Sequence, residues 1–204
     1  MAGEGFVDKK IDAKEYIRTV FHIGDGKILD RFAAVAELRT VQKGEHLFLM
    51  GETSPYVYVL LSGVLQGYFL DAEGEQVTYG FWWESGSLIC GNPKLDEPSK
   101  VNAACIADCR LLAFPADVVM GEVARSLELA LLFIERQNVA LNVRMEEKMI
   151  CHYHSPMKRY LWMKKTYPGW EGMIQDRYLA NFLGMTPVTL CRIKRRVHNG
   201  EIGE

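Results

Sequence analysis

No apolar run in this 204-residue chain approaches the ~20 residues needed to span a bilayer, and no charged-then-apolar leader opens it. A paired cysteine pattern is lacking: Cys90, Cys105, Cys109, Cys151 and Cys191 are odd in number and scattered, which argues against a secreted disulfide framework. A Ser/His/Asp grouping, metal-ligand spacing such as CxxC and a phosphate-cradling glycine loop are all missing. The chain therefore gives no catalytic residue, no metal ligand set and no reason to expect an enzyme. His152 and His154 bracket Tyr153, but exposed histidines at a helix end account for them. Internal repeats and low-complexity tracts are also absent, and the expected location is the cytoplasm, away from membranes.

An excess of either charge is lacking overall, since 24 Lys/Arg stand against 26 Asp/Glu for a formal net charge of −2. The charges are unevenly placed, however. Residues 151–204 hold nine Lys/Arg against four Asp/Glu (+5), and the first 150 hold fifteen against twenty-two (−7). A basic carboxy-terminal unit joined to an acidic amino-terminal one suits separate nucleic-acid-binding and regulatory tasks. Hydrophobic content of 49% with 25% charged residues is ordinary for a soluble globular protein.

Three textures follow one another. From Asp12 to Ala36, two short amphipathic helices broken at Gly24 to Gly26 read as packing elements. From Leu38 to Phe114, short runs of Val, Leu, Phe, Tyr and Trp alternate with turn signals at Lys43-Gly44, Gly51, Ser62-Gly63, Asp71 to Gly74 and Ser85-Gly86. That spacing predicts an all-β sandwich or barrel. Within it, Tyr79, Phe81, Trp82 and Trp83 either line a pocket or fill the β core. After Pro115 there is no proline until Pro156, and one glycine, Gly121. The spacing predicts an uninterrupted helix to about His152.

Along that helix Leu127, Leu131, Ile134, Asn138, Leu141, Met145 and Lys148 follow alternating steps of four and three, the seam of a two-stranded coiled coil. Asn138 in mid-seam would fix register. The seam predicts a homodimer; the alternative is a helix that packs only on its own β domain. His152 to Ser155 with Pro156 form a hinge, a helix follows over Lys158 to Lys165, and Tyr167-Pro168-Gly169 is a turn.

The segment DRYLANFLGMTPVTLCRIKR, Asp176 to Arg195, has the spacing of two short helices crossing through a tight turn. Ala180 is small enough for close approach, Gly184 can take positive φ, and Leu179, Leu183, Met185, Leu190 and Ile193 can face inward. Thr186 is a good N-cap and Pro187 fits the first helical position. The polar face of the second helix carries Thr189, Arg192, Lys194, Arg195 and Arg196, suited to a major groove, with Arg192 placed to offer a bidentate fork to guanine. Val188 suits a thymine methyl. The alternative is an ordinary helical hairpin with a solvated basic face.

With a β domain, a long helix and a helix-turn-helix in that order, the chain resembles the catabolite activator/FNR-type (CRP/FNR) superfamily of bacterial transcription regulators. The resemblance covers nearly the whole chain. It rests on LGMTPVTLCRIKRR at Leu183 to Arg196, KGEHLFLMGE at Lys43 to Glu52, YVLLSGVLQ at Tyr58 to Gln66 and DAEGEQ at Asp71 to Gln76.

The resemblance implies an α+β fold: an N-terminal double-stranded β-helix or jelly-roll, a cyclic-nucleotide-binding-like β-roll, over residues 1–117. A long dimerisation helix over 118–152 and a C-terminal winged helix-turn-helix over 153–204 complete it. It also implies a homodimer on double-stranded DNA with half-sites about one helical turn apart, RNA polymerase as a partner and a small-molecule effector of unknown identity. The DNA-binding set is then Thr186, Pro187, Val188, Thr189, Arg192, Lys194, Arg195 and Arg196, and the dimer seam Leu127, Leu131, Ile134, Asn138, Leu141 and Met145.

Relatives that bind cyclic nucleotides carry a Gly-Glu-Leu turn and, about ten residues on, an Arg-Ser pair for the phosphate. The matching positions here read Cys90-Gly91-Asn92 and Lys100-Val101-Asn102, so Gly91, Asn92, Lys100 and Asn102 are the candidate effector contacts. Both the glutamate for the ribose and the arginine for the phosphate are missing. A buried phosphate without a well-placed cation is costly, which disfavours cyclic AMP. The first cysteine lies too far along for the iron–sulfur branch. Haem, with His22, His46, Cys90 or Cys105 as ligands, is the remaining cofactor option. The family follows its recognition helix with a two-stranded wing, whereas only His198 to Glu204 follow here.

Overall fold

The structure is a computed structural model and describes residues 12–201. Two capped helices open it. Asp12 accepts from the amides of Lys14 (3.0 Å) and Glu15 (3.2 Å) to start α1 (Ala13–Phe21), and Asp25 accepts from the Lys27 amide (2.7 Å) to start α2 (Gly26–Val35). The intervening Gly24–Gly26 stretch breaks the helical run, as its composition predicts.

Eight antiparallel strands follow: β1 (Glu37–Val41), β2 (His46–Phe48), β3 (Tyr56–Ser62), β4 (Leu65–Leu70), β5 (Gln76–Trp82), β6 (Leu88–Ile89), β7 (Asn102–Cys105) and β8 (Cys109–Pro115). They form two four-stranded sheets, ordered β1-β8-β3-β6 and β2-β7-β4-β5, which is a jelly-roll. The tight β3–β4 turn needs Gly63. Its φ is +106°, and a Cβ there would lie 2.4 Å from the Asp108 carbonyl oxygen.

Strands β3 and β8 are buried on both faces, so they read as continuous apolar runs. Their alternating side chains serve two cores. Tyr58, Leu60, Leu111 and Ala113 point between the sheets, with Leu65 and Ile89. Val59, Leu112 and Phe114 point outward and meet Ile17, Ile28, Leu29 and Phe32 of the opening helices and Leu129.

The helical region after Pro115 is divided: α3 (Ala116–Arg125) and α4 (Leu127–Tyr153) are separate elements, where the sequence predicts one uninterrupted helix. The break is at Ser126, whose backbone is extended (φ −124°, ψ 116°) and whose hydroxyl accepts from the Leu129 amide at 3.3 Å. A serine N-cap supplies a local partner for an otherwise orphaned amide, so no proline or glycine is needed to restart the helix. Four helices end the described chain: α5 (Pro156–Thr166), α6 (Trp170–Met173), α7 (Asp176–Phe182) and α8 (Pro187–His198). No strand follows α8 among the described residues.

Candidate nucleic-acid interface

Helices α7 and α8 form the helical hairpin that the spacing predicts. Gly184 has φ +62°, Leu179, Ala180, Leu183 and Leu190 are fully buried, and Ile193 is nearly so. The Thr186 hydroxyl accepts from the Thr189 amide at 3.1 Å, and Pro187 begins α8. Sequence reasoning missed Arg159 of α5. Its guanidinium donates to the carbonyls of Leu183 (2.6 Å) and Gly184 (3.1 Å), gathering acceptors that the end of α7 leaves open.

The outward face of α8 carries Val188, Arg192 and Arg195, spaced four and three and therefore on one side, with Arg196 beside Arg192. All four are outside the core, Val188 being 60% exposed. Among the described residues no carboxylate pairs with these arginines. Twelve residues of helix span about 18 Å, long enough to lie along a major groove. Thr186 and Pro187 are exposed at its start.

Two members of the expected DNA-facing set are otherwise engaged. Lys194 turns back to Asp176 (2.5 Å) and Glu171 (3.5 Å), which ties α8 to α7 and α6. Thr189 is half-buried, with its hydroxyl 2.9 Å from that of Thr186, and serves the cap.

The seam positions lie on the exposed side of α4. Leu127, Leu131, Ile134, Leu141 and Met145 are each more than half exposed, and Asn138 and Lys148 also face solvent. Leu129 instead points at the β-roll. One edge of α4 thus packs on its own chain and the other presents a row of large apolar side chains to water, an arrangement that a second helix would relieve.

The aromatic group at the end of β5 is divided between the β core and the C-terminal helices. Trp82 enters the β core, Tyr79 is exposed beneath the Arg144 guanidinium at 5.2 Å, and Phe81 and Trp83 pack against the C-terminal helices. There Trp170 is fully buried between Phe81, Trp83 and Phe182 and stacks on Tyr167 at 4.1 Å. The side chain of Asn181 on α7 adds a strand-like pairing to β5: the Thr78 amide donates to its Oδ1 (2.6 Å), and its Nδ2 donates to the Gln76 carbonyl (2.7 Å).

A third tie runs through Glu147 of α4, which is buried. Arg144 donates to it at 2.5 Å and the Tyr167 hydroxyl at 2.8 Å, while Arg144 also reaches the Tyr79 carbonyl at 3.2 Å. Burial raises the Glu147 carboxyl above the usual carboxylate range, against the opposing pull of Arg144 and the Tyr167 hydrogen bond. The folded state therefore holds this proton more tightly than the unfolded chain does. Stability drains away as pH rises from the ordinary carboxylate value through the raised one. Melting temperatures recorded across that window should fall more steeply with pH for the native chain than for Glu147→Gln.

Three of the four expected effector contacts make hydrogen bonds within the loop and its neighbouring strands. Asn92 donates to the Pro98 carbonyl at 3.0 Å and accepts from the Lys94 amide at 3.0 Å. The Ser99 hydroxyl lies 2.6 Å from the Val101 carbonyl oxygen and 3.1 Å from that of Gly91, and a Cβ on Gly91 would strike Ser99 at 2.8 Å. Asn102 accepts from the Met50 amide and donates to the Tyr68 carbonyl, and Lys100 is exposed. Gly91, Asn92 and Asn102 thus take part in the loop's own hydrogen bonds, while the Lys100 ammonium is left exposed. The haem options sit on separate elements. His22 caps α1, His46 lies 2.9 Å from the Tyr68 hydroxyl, Cys90 follows β6, and Cys105 is buried in the β core. Among the described residues no group of three or more His, Cys, Asp or Glu could hold a metal ion, and no helix is long and apolar enough to cross a membrane.

Residues 38–126 match the family described as cyclic nucleotide-binding domain. Solved structures with the same fold include FixK2 from Bradyrhizobium japonicum, at 20% identity and TM-score 0.72, covering 82% of this chain and 87% of that one. A transcriptional regulator of the crp/fnr family from Eubacterium rectale is similar at 16% identity and TM-score 0.71, covering 91% of this chain and 88% of that one. The c-di-GMP-responsive global regulator CLP of Xanthomonas campestris is similar at 15% identity and TM-score 0.64, covering 87% and 93%. No curated protein matches in sequence.

Proposed function

We propose, from a β-roll that matches the cyclic nucleotide-binding domain family and a fold shared with FixK2 and a crp/fnr-family structure, a homodimeric, sequence-specific DNA-binding transcription regulator of the cytoplasm. The observation that carries the reading is the outward face of α8. It has three arginines with no carboxylate partner among the described residues and an exposed valine, on a helix whose other face is committed to the hairpin core.

Arg192 is the base reader, Val188 meets a thymine methyl, and Arg195, Arg196 and the exposed start at Thr186 and Pro187 engage phosphates. Two copies joined along Leu127, Leu131, Ile134, Asn138, Leu141 and Met145 place their α8 helices in successive grooves of a near-palindromic operator. RNA polymerase is the partner through which occupancy acts. Cyclic AMP is disfavoured as the effector, because the turn that would hold it lacks the ribose glutamate and the phosphate arginine and offers only the point charge of Lys100 in their place.

Arg192→Ala should weaken binding to the preferred duplex by about 1–3 kcal/mol, roughly 5- to 150-fold, and relax the base preference at one position per half-site. Its melting temperature should be unchanged, since the side chain touches nothing in the core. Fluorescence anisotropy with preferred and scrambled duplexes at two salt concentrations measures both effects. Equal affinity of the native chain for every duplex would leave a ligand-binding β-roll module without sequence-specific DNA recognition.

A further inference from the structure

Outside the β-roll interior, the opening helices, β3, β8, α3 and α4 enclose a cavity of about 80 Å³ that opens to solvent. Thirteen apolar side chains line it, among them Phe32, Val59, Val123, Leu132 and Phe133, and the one charged residue is Arg136. Close-packed interiors hold few voids larger than a water molecule, and a wholly apolar one stays dry and accepts apolar guests. The Arg136 guanidinium sits 5.7 Å over the Phe21 ring and donates to the Val20 carbonyl at 3.4 Å. Its remaining N–H groups have no carboxylate partner among the described residues.

We infer that this cavity is the effector site, and that it takes a small apolar molecule ending in a carboxylate or similar anion, with the hydrocarbon among Phe32, Val59 and Leu132 and the anion on Arg136. The void holds roughly three methylene-sized groups, each about as large as a water, with more chain accommodated toward the mouth. A guanidinium offers a planar fork that matches a carboxylate, and Arg136 presents it at the mouth of the cavity.

The position explains how occupancy would be felt. Leu129 and Leu132 form the cavity wall, and Leu131 and Ile134 on the same turns of α4 belong to the exposed seam. A molecule that fills the wall fixes how α4 lies on the β-roll and, through the seam, how two copies cross. The assignment rests on the regulator reading only for this last consequence; the site itself is tested without DNA.

Hexanoate and hexan-1-ol are the probes, titrated into the full-length chain and followed by methyl NMR. Saturable shifts of the Val59, Val123 and Leu132 methyls are expected for both. Arg136→Gln, at an exposed position, should weaken hexanoate about fivefold, the upper range for a solvent-facing ion pair, and leave hexan-1-ol unchanged. Val123→Phe, which fills the void, should abolish both titrations. The inference is overturned if hexanoate gives no saturable shift in these methyls, or if Arg136→Gln leaves its affinity unaltered. Either failure leaves the DNA-binding reading intact, because no duplex is present.

Discussion

Leu131→Asp combined with Leu141→Asp should convert a species of twice the 23.2 kDa chain mass into single chains. It should also cut operator affinity by about 10²- to 10⁴-fold, the loss expected when two linked half-site contacts become independent. Both leucines are more than half exposed on α4, so the folded chain should tolerate the change with little effect on its own melting. Across a two-stranded seam the same carboxylates would be buried without cations, at a cost of several kcal/mol each. The contribution of about 1.5–3 kcal/mol from each buried leucine would be lost as well. Analytical ultracentrifugation reads the mass and anisotropy reads the affinity. A doubled mass persisting in the variant would place the dimer contact elsewhere.

Trp170→Ala should be the most destabilising single truncation among the C-terminal helices, at about 3–5 kcal/mol. The indole is fully buried, and its ring meets Phe81 and Trp83 of the β-roll side as well as Tyr167 and Phe182. Its loss therefore opens a cavity at the junction of two units. Its Nε1–H has no partner among the described residues, so the loss is one of packing and not of a hydrogen bond. Scanning calorimetry should show the helical unit melting ahead of the β-roll in this variant, with Trp170→Phe intermediate. A loss below about 0.5 kcal/mol would mean that the junction does not hold these helices.

The elements legible in the sequence are those fixed by neighbours in the chain. Gly184 at positive φ, Thr186 as cap and Pro187 at the first helical position specify the α7–α8 turn within a few residues, and the structure places all three so. The row from Leu127 to Met145 was legible because a four-three step survives in any helix, whatever covers it. The end of α3 was less so: Ser126 acts through a single hydroxyl bond to Leu129, which carries little signal against a strongly helical background.

The rest depends on partners far along the chain. Asn181 pairs with β5 residues more than one hundred positions away, and Phe81 and Trp83 look outward only because Trp170 and Phe182 are there to meet them. Lys194 illustrates the same limit within a short segment. Helical spacing puts it near the basic face, but Asp176 and Glu171 draw its ammonium back into the hairpin. Arg192, Arg195 and Arg196 have no such acceptors among the described residues, and they remain the groups available to DNA.

Selection of bound duplexes from a random pool, followed by sequencing, addresses that availability directly. Two-fold symmetric sequences should be enriched, with half-sites about one helical turn apart, and with Arg192→Ala losing preference at one symmetric pair of positions. A pool that emerges unenriched, or enriched in single unpaired half-sites, would contradict a dimer that reads sequence through α8.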